Sequence, residues 1–566
     1  MPRKILIIGG SAAGPKTAAR CRRLDQEAEI TIVERGDLIS YAACGMPFYI
    51  EGVIEEYDSL FKTTHGARRD ADYFWSSMEI RVLENTEAVK IDREAKSVTV
   101  RNLKTGETED FLYDKLVLAT GASPIIPKMD GVELEDVYRL YNPHHARAIK
   151  EALDSGARKV AIVGGGLIGI ETCGAFVERG CEVTVFEMMP HLVPALLDEE
   201  MSLLLEKHLV EKGVKVVKGT PVSRIIDDGT GRVGGVETAD GRRFEADLVI
   251  VAIGVRPNIG LATDAGLDIG QTRALAVNEY LQTSDPDIYA GGDCVENTHL
   301  VTGEKVYAPM GSTANKHGRI IADNINGMET SFPGVTATAV FRILGYNCGT
   351  TGITERKARE LGYDVVTSLC PRRDYSHYIP GAKFFVVKLI AERKEGRVLG
   401  CQVVGDGDGM KRIDVVATVL RFGGDVKALA DLDLGYAPPY SEAIDAIAHS
   451  ANVIRNKIDG LAHGVSPVEM KRKLESDENF VFIDCRENTE YEAQTIKNER
   501  TRNIPLTDMN ESSGEFANDQ EIVFFCNTSV RAYKAERIMR SLGYSDVKFL
   551  EGSLKAWPYS LETGKK

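Results

Sequence analysis

The 566-residue chain has no apolar run long enough to cross a membrane: runs such as LVIVAIGV from Leu248 to Val255 are strand-sized, against the roughly 18 residues that suggest a spanning helix. Positive charge is also in short supply. With 69 Lys and Arg against 84 Asp and Glu, both signs interspersed, the net charge is -15, which offers no basic face to a nucleic-acid backbone but leaves room for a local basic pocket. The opening MPRKILIIGG runs straight into a strand without a cleavable leader pattern, so a cytoplasmic location is expected. The ten cysteines show no C-x-x-C pair and no metal-ligand rhythm. They read as reduced intracellular thiols rather than a disulfide framework or a zinc site, and no metal is expected. No low-complexity segment interrupts the chain.

What is present fits about three or four domains at roughly 100 to 200 residues each. KILIIGGSAAGPKTAARCRR followed by EITIVER reads as strand, glycine turn, amphipathic helix and strand, one βαβ unit ending at Glu34. The pattern returns in RKVAIVGGGLIGIETCGAFVERG and CEVTVFE, ending at Glu187. Two such units imply two dinucleotides. DKLVLATGASPIIP reaches a tight turn at Thr120 and Gly121, ADLVIVAIGVRPN repeats that arrangement around Gly254, and TSDPDIYAGGDCVE brings Gly292 and Asp293. From about Thr336 to Ile458, segments such as KFFVVKLIAE and RVLGCQVVG alternate in a way that suits an antiparallel sheet. A fresh small α/β pattern begins near Gly464, after the linker-like NKIDGLAHGVSP.

A dinucleotide loop needs glycine where the backbone turns sharply, approaches the pyrophosphate and packs helix on strand. Gly164, Gly166 and Gly169 fill G-x-G-x-x-G, and Glu187 stands where an acid accepts hydrogen bonds from a ribose 2'-hydroxyl. A carboxylate there repels a 2'-phosphate, which favours NADH over NADPH. In the first unit Gly9 and Gly14 hold the outer positions, Ser11 replaces the middle glycine, Ala13 precedes Gly14, and Glu34 supplies the acid.

This order of motifs resembles the pyridine nucleotide-disulfide oxidoreductase family over roughly residues 1 to 455. The stretches GGSAAG, SYAACGMPFYIEG, MKRIDVVAT and LGYAPPYS are most similar to coenzyme A disulfide reductases and NADH-dependent persulfide or polysulfide reductases. The resemblance implies an α/β fold with two Rossmann-like dinucleotide-binding domains and an α+β dimerisation domain, ahead of the separate small α/β tail. The corresponding boundaries are 1–148 with 257–330 for FAD, 149–256 for NAD(P)H, 331–455 for a homodimer contact, 456–463 as linker and 464–566 for the tail. It also implies that Asp293 holds the flavin ribityl chain. The related peroxidases carry a histidine in the first glycine loop, whereas this loop offers Ser11, Ala12 and Ala13.

Cys44, in SYAACGMPFYI, has no second cysteine nearby. A thiolate there, followed by Gly45 and Pro47 at the opening of a helix, is expected to have a lowered pKa. Its disulfide partner must come from elsewhere. With a disulfide or persulfide substrate, Cys44 forms a mixed disulfide that electrons from NADH split by way of FAD; with oxygen or peroxide it cycles through a sulfenic acid. The residues around Cys44 leave both chemistries open, and a non-enzymatic redox or sulfur sensor is a third reading. Many relatives have asparagine just before the cysteine; here the position is Ala43. By the same resemblance, Tyr436 and Tyr378 of one subunit approach the active-site sulfur of the other, where a phenol can protonate a leaving thiolate. Lys16, Arg20 and Arg23 on the first helix, Ser40 at the redox loop, and Arg68 and Arg69 are candidates to hold coenzyme A and its phosphates.

In EIVFFCNTSVRAYKAERIM a buried strand ends at Cys526 and a short loop reaches Arg531. Inward amides and an arginine closing the loop make an anion cradle that lowers a thiol pKa and can hold a persulfide. The C-x4-R spacing, with FVFIDCRE, RNIPL and GSLKAW in order, resembles the rhodanese loop and implies a small α/β rhodanese-like domain with a sulfur carrier. The loop departs from the usual pattern by lacking glycine, reading Asn527, Thr528, Ser529, Val530, and QTI replaces the usual Gly-His-Ile.

Overall fold

The computed structural model describes residues 2–564. It divides into two compact units. One comprises the chain up to Gly164 with Thr172–Val183 and Val222–Val335; the other comprises Gly165–Glu171, Thr184–Pro221 and the chain from Thr336 on.

In the first unit, the apolar strand Lys4–Ile8 pairs in parallel with Glu29–Val33 on one side and with Lys115–Leu118 on the other. Ile80–Leu83 and Ile288–Ala290 complete the five-stranded parallel sheet. From Ile5 to Ile8 the central strand is apolar and buried because both of its faces are covered. Ile5 and Ile7 join one core with Ala18 and Cys21 of the helix Ala13–Leu24, while Leu6 and Ile8 join a second with Leu116 and Leu118. Ile288–Ala290 comes from far along the chain, so the first nucleotide-binding fold is closed by residues that follow the second. Within the same unit Lys159–Val163 and Val137–Tyr138 both pair in parallel with Leu248–Val251.

In the second unit, Thr184–Glu187 pairs in parallel with Lys215–Lys218. A five-stranded antiparallel sheet runs in the order Ala339–Ile343, Tyr346–Gly352, Val398–Gly405, Phe384–Glu392, Val365–Arg373. Two of its three inner strands do not alternate between buried and exposed: Phe384–Glu392 is buried except at its ends and Val398–Gly405 is buried throughout. Helices Met410–Arg421, Ala446–Ile458 and Glu199–Glu211 pack on these strands, so neither face meets water. One fully buried cation sits in this sheet. Lys388 Nζ lies 2.7 Å from Glu200, 2.7 Å from Glu355 and 3.1 Å from Asp198, and Gln402 donates to Asp198 at 2.7 Å. Burial disfavours the ammonium, but the three carboxylates outweigh it and raise the lysine pKa. Removing the lysine alone strands buried carboxylates, at a cost of about 3–5 kcal/mol.

The tail is a five-stranded parallel sheet, Gly464–Val465, Val547–Leu550, Glu521–Phe525, Phe480–Asp484, Thr501–Asn503, with an apolar core on either side. The helix Ala446–Ile458 takes up the first residues of the expected linker and ends where Gly460 adopts φ 68°. Among the described residues no helix is long and apolar enough to cross a membrane.

Candidate active site

The two glycine loops are built alike. Gly9 has φ 114°, and a Cβ there would stand 2.1 Å from the Ala119 carbonyl oxygen; Gly164 has φ 113°, with the Ala252 carbonyl oxygen at 2.4 Å. Only glycine fits either position. Glu34 accepts from Gly10 N at 2.6 Å and Gly36 N at 2.7 Å, and Glu187 accepts from Gly165 N and Met189 N at 2.8 Å each. Each acid is thus fixed against its own glycine loop, as a ribose acceptor needs to be. A Cβ on Gly14 would lie 1.9 Å from the Gly9 carbonyl oxygen, and Gly169 is buried in the first turn of the helix Leu167–Glu178. Ser11 is exposed, its Oγ 3.3 Å from the Tyr41 hydroxyl, and a Cβ on Gly166 would meet no protein atom. The middle position of both loops therefore leaves backbone bare for a pyrophosphate. Ala13 is buried where Gly318 passes so closely that a Cβ would stand 2.5 Å from the Ala13 carbonyl oxygen.

The Thr120–Gly121 turn is held by a residue that sequence reasoning missed. Asn258 donates to the Thr120 carbonyl at 2.8 Å, Thr120 Oγ1 donates to the Asn258 carbonyl at 2.7 Å, and Ser123 Oγ donates to Asn258 Oδ1 at 2.7 Å. Gly121 and Gly254 both have positive φ, 66° and 108°. Asp293 makes no side-chain hydrogen bond or ion pair among the described residues, and burial pushes its carboxyl up to about 6. A desolvated carboxylate of this kind suits the hydroxyls of a sugar-alcohol chain. The preceding Gly292, φ 82°, donates its N–H to His317 Nδ1 at 3.1 Å. His317 is fully buried and its pKa is lowered to about 4 by burial, so the ring is neutral with its proton on Nε2. Nothing in the local sequence marks His317 as the support of this turn.

Cys44 lies in the short 3-10 turn Ala43–Gly45, which leads into the helix Met46–Glu51, and it is exposed. Ser40, half-buried with φ 52°, donates its N–H to the Gly10 carbonyl at 2.7 Å, which ties the cysteine segment to the first glycine loop. Among the candidate phosphate ligands, Arg20 is engaged with Asp323 at 2.7 Å, Arg68 with Asp58 at 2.9 Å, and Arg69 donates to the Phe61 carbonyl at 3.1 Å. Lys16 is half-buried and Arg23 exposed. In the second unit Tyr378 and Tyr436 are exposed and hydrogen-bonded to each other, a bond that raises the Tyr436 phenol pKa.

In the tail, Cys526 follows the strand Glu521–Phe525 and is only 1% exposed. Burial by itself raises its pKa. A hydrogen bond from Cys485 and the backbone amides of Ala532, Thr528 and Arg531 outweigh that burial and bring the thiol down to about 6. The expected anion cradle is present without loop glycine because Ser529 takes the left-handed conformation, φ 69°, its hydroxyl tied to the Leu550 carbonyl at 2.9 Å. Arg531 closes the loop in a two-pronged pair with Glu490, at 2.6 and 2.8 Å, which raises the guanidinium pKa. Thr495 of the divergent QTI stretch donates to Asp484 at 2.9 Å, so that stretch supports the strand end rather than the cysteine. Cys485 and Glu490 were not singled out in the sequence; the one local signal is the capping box that Glu490 forms with Glu487.

Three family models match the chain: pyridine nucleotide-disulphide oxidoreductase over residues 3–324, its dimerisation domain over 337–448, and rhodanese-like domain over 466–559. A NAD-dependent persulfide reductase structure from A. fulgidus is 43% identical with a TM-score of 0.93, over 98% of this chain and 100% of that one. A NAD(P)H coenzyme A polysulfide/persulfide reductase of Pyrococcus horikoshii is 35% identical over 456 residues, 80% of this chain and 99% of that protein. An NADH oxidase of Methanocaldococcus jannaschii matches to the same identity and extent.

Proposed function

Because the chain belongs to the pyridine nucleotide-disulphide oxidoreductase family, we propose that it is an FAD-dependent, NAD(P)H-driven reductase of sulfur–sulfur bonds in a persulfide, polysulfide or coenzyme A disulfide. The observation that carries the reading is the pair of acid-anchored glycine loops, the first of them hydrogen-bonded through Ser40 to the segment that bears Cys44. When bound, FAD supplies the two-electron link between nicotinamide and sulfur. The first loop, with Glu34, Thr120, Gly121 and Asp293, holds it; the second loop, with Glu187 and Gly254, holds the nicotinamide cofactor, with NADH preferred because Glu187 repels a 2'-phosphate. Cys44 attacks the substrate and keeps one half as a mixed disulfide while the other half leaves as thiolate or hydrosulfide. Tyr436, with its hydroxyl oriented by Tyr378, protonates that leaving group across a homodimer built on the antiparallel sheet. Lys16 and Arg23 take the phosphates of coenzyme A; Arg20 joins them only by giving up Asp323. The domain limits follow the sequence reading except that the linker begins after Ile458, and ten cysteines left as thiols suit the cytoplasm. In the tail, Cys526 carries sulfane sulfur, with Arg531 closing its cradle.

The test is NADH oxidation and sulfide release with persulfide and with coenzyme A disulfide, in the wild type and Cys44→Ser. Normal NADH oxidation coupled to sulfide release by the variant would sink the reading. The relative named NADH oxidase favours a second reading, oxygen reduction through a Cys44 sulfenic acid. NADH-dependent oxygen uptake without any sulfur substrate separates the two.

A further inference from the structure

Two thiols far apart in sequence meet at the floor of the tail's cysteine loop. The parallel strands Phe480–Asp484 and Glu521–Phe525 run in register to their last residues, Asp484 opposite Phe525, and each is followed at once by a cysteine, Cys485 and Cys526. The Cys485 N–H donates to the Phe525 carbonyl at 2.9 Å, and its Sγ lies 3.0 Å from the same oxygen. Both cysteines belong to one apolar core, and their side chains are in hydrogen-bond contact. Adjacent strands lie about 4.8 Å apart, inside the Cα separation of roughly 4.4–6.8 Å that a disulfide spans. A buried strand end needs only a small apolar side chain. A thiol opposite the loop cysteine adds chemistry.

We propose that Cys485 is the resolving thiol of the tail: it attacks the inner sulfur of a Cys526 persulfide, expels the outer sulfur as hydrosulfide and closes a Cys485–Cys526 disulfide. The inference rests on the reading of Cys526 as a sulfane-sulfur carrier. In the loading step the Cys526 thiolate bonds to the outer sulfur of a donor persulfide, the donor S–S bond breaks, and the donor thiolate leaves. In the resolving step Cys485 gives its proton to the outer sulfur and an electron pair to the inner one. The Cys526 persulfide bond then breaks, and hydrosulfide departs with its electron pair. One sulfane sulfur is reduced by two electrons and the dithiol is oxidised by two. Two equivalents of a low-molecular-weight thiol reopen the bridge and leave as their symmetrical disulfide. If that thiol is coenzyme A, this disulfide belongs to the substrate class assigned to Cys44. The tail then converts persulfide into a form the flavin centre can reduce.

The experiment uses the full chain as Cys44→Ser, flavin oxidised and NADH absent, exposed to glutathione persulfide, alkylated and mapped by mass spectrometry while released sulfide is measured. The expected result is a peptide pair joined through Cys485 and Cys526, with one sulfide released per bridge. Adding Cys485→Ser, which keeps a hydrogen-bond donor beside Cys526, leaves the persulfide on Cys526 and lowers sulfide release at least ~10-fold. Cys485→Ala gives the same outcome, and retained flavin shows that each variant has folded. A persulfide on Cys526 beside an alkylated Cys485 in the parent protein overturns the resolving role and leaves the carrier reading intact. No added sulfur on Cys526 in any variant, and no bridge in the parent, overturns the carrier reading and the resolving role together.

Discussion

Cys44 and Cys526 carry the same side chain in opposite surroundings. Cys44 presents its sulfur on a three-residue turn ahead of a six-residue helix, tied to the first glycine loop through its neighbour Ser40. Cys526 is buried, ringed by amides of the following helix and by Cys485. Those groups lower the Cys526 thiol at a buried position, whereas the Cys44 sulfur is exposed.

That contrast can be broken at four places. The largest effect is expected at Cys44: Cys44→Ser lowers NADH-driven turnover at least ~10³-fold with every sulfur acceptor, while flavin content, read by absorbance, is unchanged. Next, Cys526→Ser reduces sulfur transfer from thiosulfate by about 100-fold or more but spares reduction of coenzyme A disulfide. Equal losses in both assays would mean that the two centres are not separable. Third, Tyr436→Phe slows turnover of the Cys44 centre by about 10-fold or more, most strongly for substrates with basic leaving thiols, and leaves the alkylation rate of Cys526 untouched.

The smallest effect is a change of pH midpoint. Alkylation of Cys526 by iodoacetamide rises as pH is raised through about 6 and levels off above, because only the thiolate reacts. The folded thiol is lowered from 9.0 to about 6, so its contribution to tail stability is complete above 9, shrinks as pH falls and is gone below about 6. Glu490→Gln removes the charge that neutralises Arg531 and moves the alkylation midpoint down, by less than about one pH unit. A midpoint that stays near 9 in the wild type would mean that the surrounding amides and Cys485 do not lower the Cys526 thiol.

The backbone devices of both nucleotide sites were legible in sequence because glycine is required by local geometry. Gly9 and Gly164 sit where any Cβ would strike a carbonyl oxygen, and the acids that follow them recur at strand ends. The C-x4-R loop was legible for another reason, the fixed spacing of its cysteine and arginine, since it carries no glycine. Asn258 and His317 were not, since they act across 138 and 25 residues of chain on turns that carry no mark of needing them. Cys485 was read as one of ten scattered thiols, because only the register of two parallel strands sets it opposite Cys526. The expected alternation in the antiparallel sheet failed where helices cover both faces, a tertiary circumstance that a strand's own residues do not announce.

Lys388 joins three stretches of chain that lie far apart: Asp198 and Glu200, Glu355, and its own strand. None of these can leave without exposing an unmatched charge to an apolar interior. The sheet around it therefore opens as one cooperative block, and amide hydrogens along Phe384–Glu392 exchange with solvent only when that whole block unfolds.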